Sequence, residues 1–85
     1  MKKKIYVLIY SNDGENNILV SSYNLEKVID YAKSFLINNL GYDSIHESEY
    51  IEDVLNSLRN DYVYKIDYLF ECSEVIWRIE EIEVI

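Results

Sequence analysis

Residues 62–85 read YVYKIDYLFECSEVIWRIEEIEVI. Tyr62, Tyr64, Ile66, Tyr68 and Phe70 alternate with Val63, Lys65, Asp67 and Leu69. A period of two puts successive side chains on opposite faces of a strand. Glu71-Cys72-Ser73-Glu74 is a polar break of hairpin length, after which Val75, Trp77 and Ile79 resume the alternation. The stretch therefore reads as two antiparallel strands, the first with a strongly aromatic face. At Glu80-Glu81 the apolar phase slips, and Ile82 and Val84 take over. A strand with both apolar sets on one face needs an extra residue to do this, so the pattern predicts a β-bulge there.

Working back along the chain, Lys3–Tyr10 has the same period. Ile5, Val7 and Ile9 form an aliphatic face, and Tyr6, Leu8 and Tyr10 an opposite one. Two apolar faces suit a central strand. Asn12-Asp13-Gly14 signals a turn, and residues 16–22 return as a second strand, with Ile18 and Val20 expected inward and a loop of four or five residues. Asn24 is the expected N-cap of a helix, with Glu26 in its first turn. Leu25, Val28, Ile29, Ala32, Leu36 and Leu40 recur at helical spacing, and Gly41 is placed to end the run. A second helix is expected from about Glu47 to Asn60, with Ile51, Val54, Leu55 and Leu58 inward. Its start is ambiguous, because Ser44 with Glu47 and Ser48 both make plausible caps.

The order β-β-α-α-β-β predicts an α+β fold of one domain, residues 1–85. It has a four-stranded antiparallel sheet, ordered 2-1-4-3, with both helices on one face. The helices are expected on the aliphatic face, leaving tyrosines and charges on the other. Eighty-five residues give a small core, to which large aromatics contribute disproportionately.

Composition limits the function. The net charge is −8, and it is uneven. Residues 1–40 carry four acids and five bases, whereas residues 41–85 carry twelve acids and three bases. Direct nucleic-acid binding is disfavoured, since phosphate contacts need a basic footprint. No apolar run is long enough to span a membrane. The segment after Met1-Lys2-Lys3-Lys4 is too short for a secretory leader, and with a single cysteine the chain is expected to be cytoplasmic. With one histidine, His46, and only Gly14 and Gly41 as glycines, neither a metal centre, a phosphate loop nor a nucleophile set is indicated. No cofactor and no enzymatic activity are expected.

Two features remain. One is an acidic array: Glu47, Glu49, Glu52 and Asp53, with Asp43 nearby, on or near the second helix, and Glu71, Glu74, Glu80, Glu81 and Glu83 on the final hairpin. Carboxylates three or four residues apart on a helix stand ~5–6 Å apart at Cβ, comparable to neighbouring phosphates on one DNA strand. A solvated acidic face that keeps a small protein soluble explains the same residues. The other is the tyrosine excess, with Tyr64 and Tyr68 the candidates for short-range contacts. Cross-strand paving and a symmetric dimer contact together account for it more readily than a dedicated contact with another protein.

The layout MKKKIYVLIYSNDGENNILVSSYNLEKVIDYAKSFL, closed by WRIEEIEVI, resembles small proteins of phages and mobile elements. In acidity, size and aromatic content the chain looks like phage-encoded inhibitors of bacterial defence, such as anti-CRISPR and anti-restriction proteins, several of which mimic DNA. That resemblance implies a non-enzymatic inhibitor docking on a basic, nucleic-acid-binding surface of a host protein such as a nuclease. The alternative is a structural or regulatory homo-oligomer without mimicry.

Overall fold

In a computed structural model, residues 3–68 and 73–84 are described, without the side chains of residues 66–68 and 73. The elements are β1 (Lys3–Asn12), β2 (Glu15–Ser22), α1 (Leu25–Asn38), α2 (Ser48–Asp61), β3 (Val63–Tyr68) and β4 (Ser73–Val84). They form one antiparallel sheet in the order β2-β1-β4-β3, as the sequence predicts. The first and last strands are its central pair. Both helices pack on one face, α1 over β1 and β2, and α2 over β3 and β4.

Local chemistry sets most boundaries. Asp13 and Gly14 have φ of 52° and 88°, so the first hairpin turns in two residues with both φ positive, tighter than the expected loop. Asp13 also bonds across the sheet. Its N–H donates to the Glu74 carbonyl at 2.9 Å, and its Oδ1 accepts the Glu74 N–H at 3.0 Å. Asn24 caps α1 as expected, with Oδ1 accepting the Glu26 N–H at 2.9 Å. Past the end of α1, Gly41 takes φ of 78°, and the Tyr42 N–H reaches back to the Leu36 carbonyl at 3.0 Å. Neither serine caps α2. Asp43 holds the preceding turn, accepting the Ile45 and His46 N–H groups at 2.7 and 3.0 Å. Glu47, the N-cap, turns its carboxylate back to the Asp43 N–H at 3.0 Å. At the other end Tyr62 ends α2 with φ of 62°, a conformation that costs a non-glycine residue roughly 1 kcal/mol. Its ring packs edge-on against Tyr6 at 6.3 Å, and its carbonyl accepts the Ile79 N–H at 2.8 Å.

The facing of the sheet reverses the expectation. Leu8, Trp77 and Ile79 are buried beneath the helices, with Tyr6, Tyr10 and Tyr64 packed beside them. Ile5, Val7 and Ile9 are on the open face, because they pair in register with Ile82, Glu80 and Arg78. The aromatic face won because a small core gains most area per residue from Trp and Tyr, and a tyrosine can bury its ring while its hydroxyl stays near the rim.

The bulge is also elsewhere. β4 pairs with β1 without interruption from Val84 to Val75, so Glu80 and Glu81 lie in a regular strand. The phase change has another cause. Tyr62 against Tyr6 marks the limit of the helix layer, and beyond it the helix-side positions Glu81 and Glu83 meet solvent. Ile82 and Val84 belong to the opposite, open face from Trp77 and Ile79. The irregularity lies in β2 instead. Leu8 faces Val20 while Ile9 faces Ile18, leaving Leu19 as the extra residue. Val20 and Leu19 pack on the core, but Ile18 is turned out and 73% exposed, not inward with Val20.

Trp77 is 1% exposed, with Tyr10 at 4.8 Å and Phe35 of α1 at 5.7 Å between ring centres. Trp77→Ala is expected to cost about 3–5 kcal/mol. That is most of the stability of an ordinary small domain, so chemical denaturation should show a lowered midpoint or no cooperative transition. At the turn, Asp13→Asn should be nearly neutral, since asparagine tolerates positive φ. Asp13→Val should lose about 1–2 kcal/mol in the same assay.

Candidate protein-binding face

The acidic residues do not converge on one surface. Glu49, Glu52 and Asp53 stand exposed on α2, opposite its buried stripe of Ile51, Val54, Leu55 and Leu58. Glu47 precedes them, engaged with the Asp43 backbone. Arg59, the only cation on α2, is turned aside to α1. Its Nε and Nη2 donate to the two Glu26 carboxylate oxygens at 3.0 and 3.4 Å, and its Nη1 to Asn56 Oδ1 at 3.2 Å. The hydrogen bond to Glu26, then the charges of Glu26, Glu52 and Asp30, raise its pKa further. Among the described residues Glu49, Glu52 and Asp53 form no ion pair, and Arg59 offsets the negative field of this helix only in part, through its charge near Glu52.

The β4 carboxylates are spread over two faces and are mostly engaged. Glu74 and Glu80 lie on the open face, Glu74 against Lys65 at 3.2 Å and Glu80 near Arg78 at 3.6 Å. Glu81 lies on the helix side, against Lys4 at 2.9 Å, and this pairing raises the Lys4 pKa. Lys4, Glu81 and Glu83 line an open depression of about 270 Å³ at the end of the sheet. Glu71 falls outside the described residues, as does the Tyr68 side chain.

Tyr64 stands beside the helix array. It is half-buried under α2, edge-on to Tyr50 at 6.2 Å, and burial followed by the charge of Asp53 raises its hydroxyl pKa. Tyr50 in turn stacks on Tyr42 at 4.8 Å with 28° between planes. This pair was not singled out from the sequence, although Tyr50 lies four residues before Val54 and so borders the inner stripe. The aromatic residues thus brace α2 from beneath, and its carboxylates project outward. His46 is exposed, and its Nδ1 lies 3.1 Å from Asp43 Oδ2. Among the described residues no three His, Cys, Asp or Glu side chains are grouped to hold a metal ion, and no helix is long and apolar enough to cross a membrane.

Set against models of known families, curated proteins and solved structures, the chain matches none.

The hydrogen bonds of Asp43 with His46 and Ile45 hold its carboxyl below the usual carboxylate range. A depressed folded-state pKa stabilises above the unfolded value of about 3.9 and is lost as pH falls through the folded value. The Asp43 carboxyl carbon, followed by NMR, should therefore titrate below the ordinary aspartate value. The Ile45 amide signal should move with it, and Asp43→Ala should abolish this and fray the start of α2.

Proposed function

We propose that the protein acts by binding and has no reaction of its own, presenting the outer face of α2 to a basic surface of another protein that otherwise holds nucleic acid. The observation that carries this is the row Glu49, Glu52 and Asp53: exposed, fixed on a helix anchored by four buried residues, and with the only local cation already clamped by Glu26. A rigid row of carboxylates offers charge at fixed spacing without the entropy of ordering a loop. Long-range attraction speeds encounter, and shorter-range contacts then fix the pose. In its narrower form the partner is a nuclease or other nucleic-acid-binding defence protein of a bacterial host. Size, acidity and aromatic content support that form.

The test compares wild-type protein with the Glu49→Lys, Glu52→Lys, Asp53→Lys triple variant as immobilised baits for bacterial nucleic-acid-binding proteins. Capture through α2 should fall at least about tenfold between low and physiological salt. It should be competed by duplex DNA and be absent from the triple variant. Capture indifferent to salt, DNA and charge reversal alike would exclude the α2 face as the docking surface.

A further inference from the structure

The side of the sheet away from the helices carries an aliphatic surface. Ile5, Val7 and Ile9 of β1 lie there with Ile76, Ile82 and Val84 of β4, by the pairing Ile5–Ile82, Ile9–Arg78 and Ser11–Ile76. Ile18 of β2 and Val63 of β3 extend it across both edges, because they face Ile9 and Arg78. Ile18 is 73% exposed, Ile82 46% and Val63 45%, Ile5, Val7 and Ile76 are half-buried, and Ile9, enclosed by its neighbours, is 6% exposed. The shortest dimension, 20 Å, is that of a sheet and one helix layer, so among the described residues no second layer covers the surface. A period-two aliphatic pattern kept up to Val84, past the limit of the helix layer, has no use in the core of the monomer.

We infer that this open face is the interface of a symmetric dimer, the occupant being a second copy of the same chain packed sheet against sheet. Charge singles out that occupant. The chain carries −8, yet the described open face holds Lys3, Lys65 and Arg78 against Glu74 and Glu80, close to neutral with one cation in excess. A strongly charged partner, whether nucleic acid or anionic lipid, finds a single surplus cation here, far short of the basic footprint it needs. A second copy brings the same mixed set, and a two-fold axis can place the cations of one copy by the carboxylates of the other. The size also fits. Four strands at ~4.8 Å spacing and about ten residues at ~3.3 Å rise cover roughly 600 Å² in outline. That is close to the ~800 Å² per partner of a standard interface once side-chain relief is added.

Arg78 adds a separate observation. It lies between Ile9 and Val63 on this face, and its Nε is cut off from solvent without a hydrogen-bond partner. Glu80 Oε1, at 3.6 Å, is too far to accept its proton. A buried donor without an acceptor is costly; the side chain as a whole is 40% exposed, so a second copy can meet the guanidinium only outside that atom. In the dimer the two helix layers lie outermost, and the α2 surfaces remain free on both sides. The inference is thus independent of what α2 binds.

The test is sedimentation equilibrium of the whole chain over a wide concentration range. Wild-type protein should reach twice its 10.2 kDa mass. Ile18→Glu combined with Ile82→Lys, both at exposed positions, should weaken association at least about tenfold while leaving the far-UV circular dichroism unchanged. The Glu49→Lys, Glu52→Lys, Asp53→Lys variant should remain a dimer. A wild type that stays at 10.2 kDa at ~100 µM, or a dimer undisturbed by the sheet-face pair, would overturn the inference. Should the paired variant unfold, isoleucine methyl signals of the wild type decide. Ile5, Ile76 and Ile82 should shift with concentration and be shielded from a soluble paramagnetic agent, while Ile45 should not. Equal broadening of all four would also overturn it.

Discussion

The fold depends on the burial of Trp77. Its ring meets Tyr10 from the adjacent central strand and Phe35 from α1, and these two also touch each other at 5.6 Å. Three aromatic rings from three elements thus meet over one point of the sheet. Around them Leu8, Ile29 and Leu36 are wholly or almost wholly buried. An 85-residue chain has few residues to spare for its interior, and the reversed facing of the sheet follows from that scarcity. The helices settle on the side where each residue contributes most area. Tyr6 and Tyr10 are only partly buried, at the margin of the core, where a ring can be covered and a hydroxyl can still meet water.

Element order, strand order and the helix stripes were legible in the sequence because each rests on a local period that a packed layer must obey. Asn24 and Gly41 also acted as their residue types foretell. Facing was not legible. When both sides of a strand are apolar, periodicity gives two sets of residues and does not say which is covered. The same blindness misplaced the bulge. A shift of the apolar set at Glu80 looks identical whether a strand slips or the helix cover ends, and here the cover ends. In β2, the sequence Ile18-Leu19-Val20 is apolar at three successive positions, so an extra residue left no mark on the pattern. The α2 cap escaped for a different reason: Asp43 and Glu47 work as a reciprocal pair one turn before the helix, outside the serine motif.

Of the acidic array, the α2 part was legible, since helical spacing alone puts Glu49, Glu52 and Asp53 opposite the inner stripe. The β4 part could not be resolved, because neighbours along a strand point to opposite faces and their cations come from other strands. Lys4 and Lys65 reach Glu81 and Glu74 only through the register of the sheet. The molecule accordingly has three distinct surfaces. The outer face of α2 is negative and, among the described residues, without an ion pair at Glu49, Glu52 and Asp53; the open sheet face is aliphatic and close to neutral; and the sheet end is polar, with Lys4 held by Glu81 beside Glu83.

Placing the first and last strands side by side bears on how the chain reaches this state. Lys3 lies opposite Val84, and Asp13 is bonded to Glu74, so the central ladder joins the two extremes of the described chain. During synthesis the β1–β2 hairpin and both helices emerge before any residue of β4. Until then the apolar stripes have no Trp77 to close on, and β1 offers a bare edge with two apolar faces. Contacts of such long sequence separation form slowly, and an exposed strand edge is prone to pair with other chains. The two-residue turn at Asp13-Gly14 answers part of this hazard. It forms from local residues alone, shields one edge of β1 with β2, and leaves the other edge for the strand that completes the core.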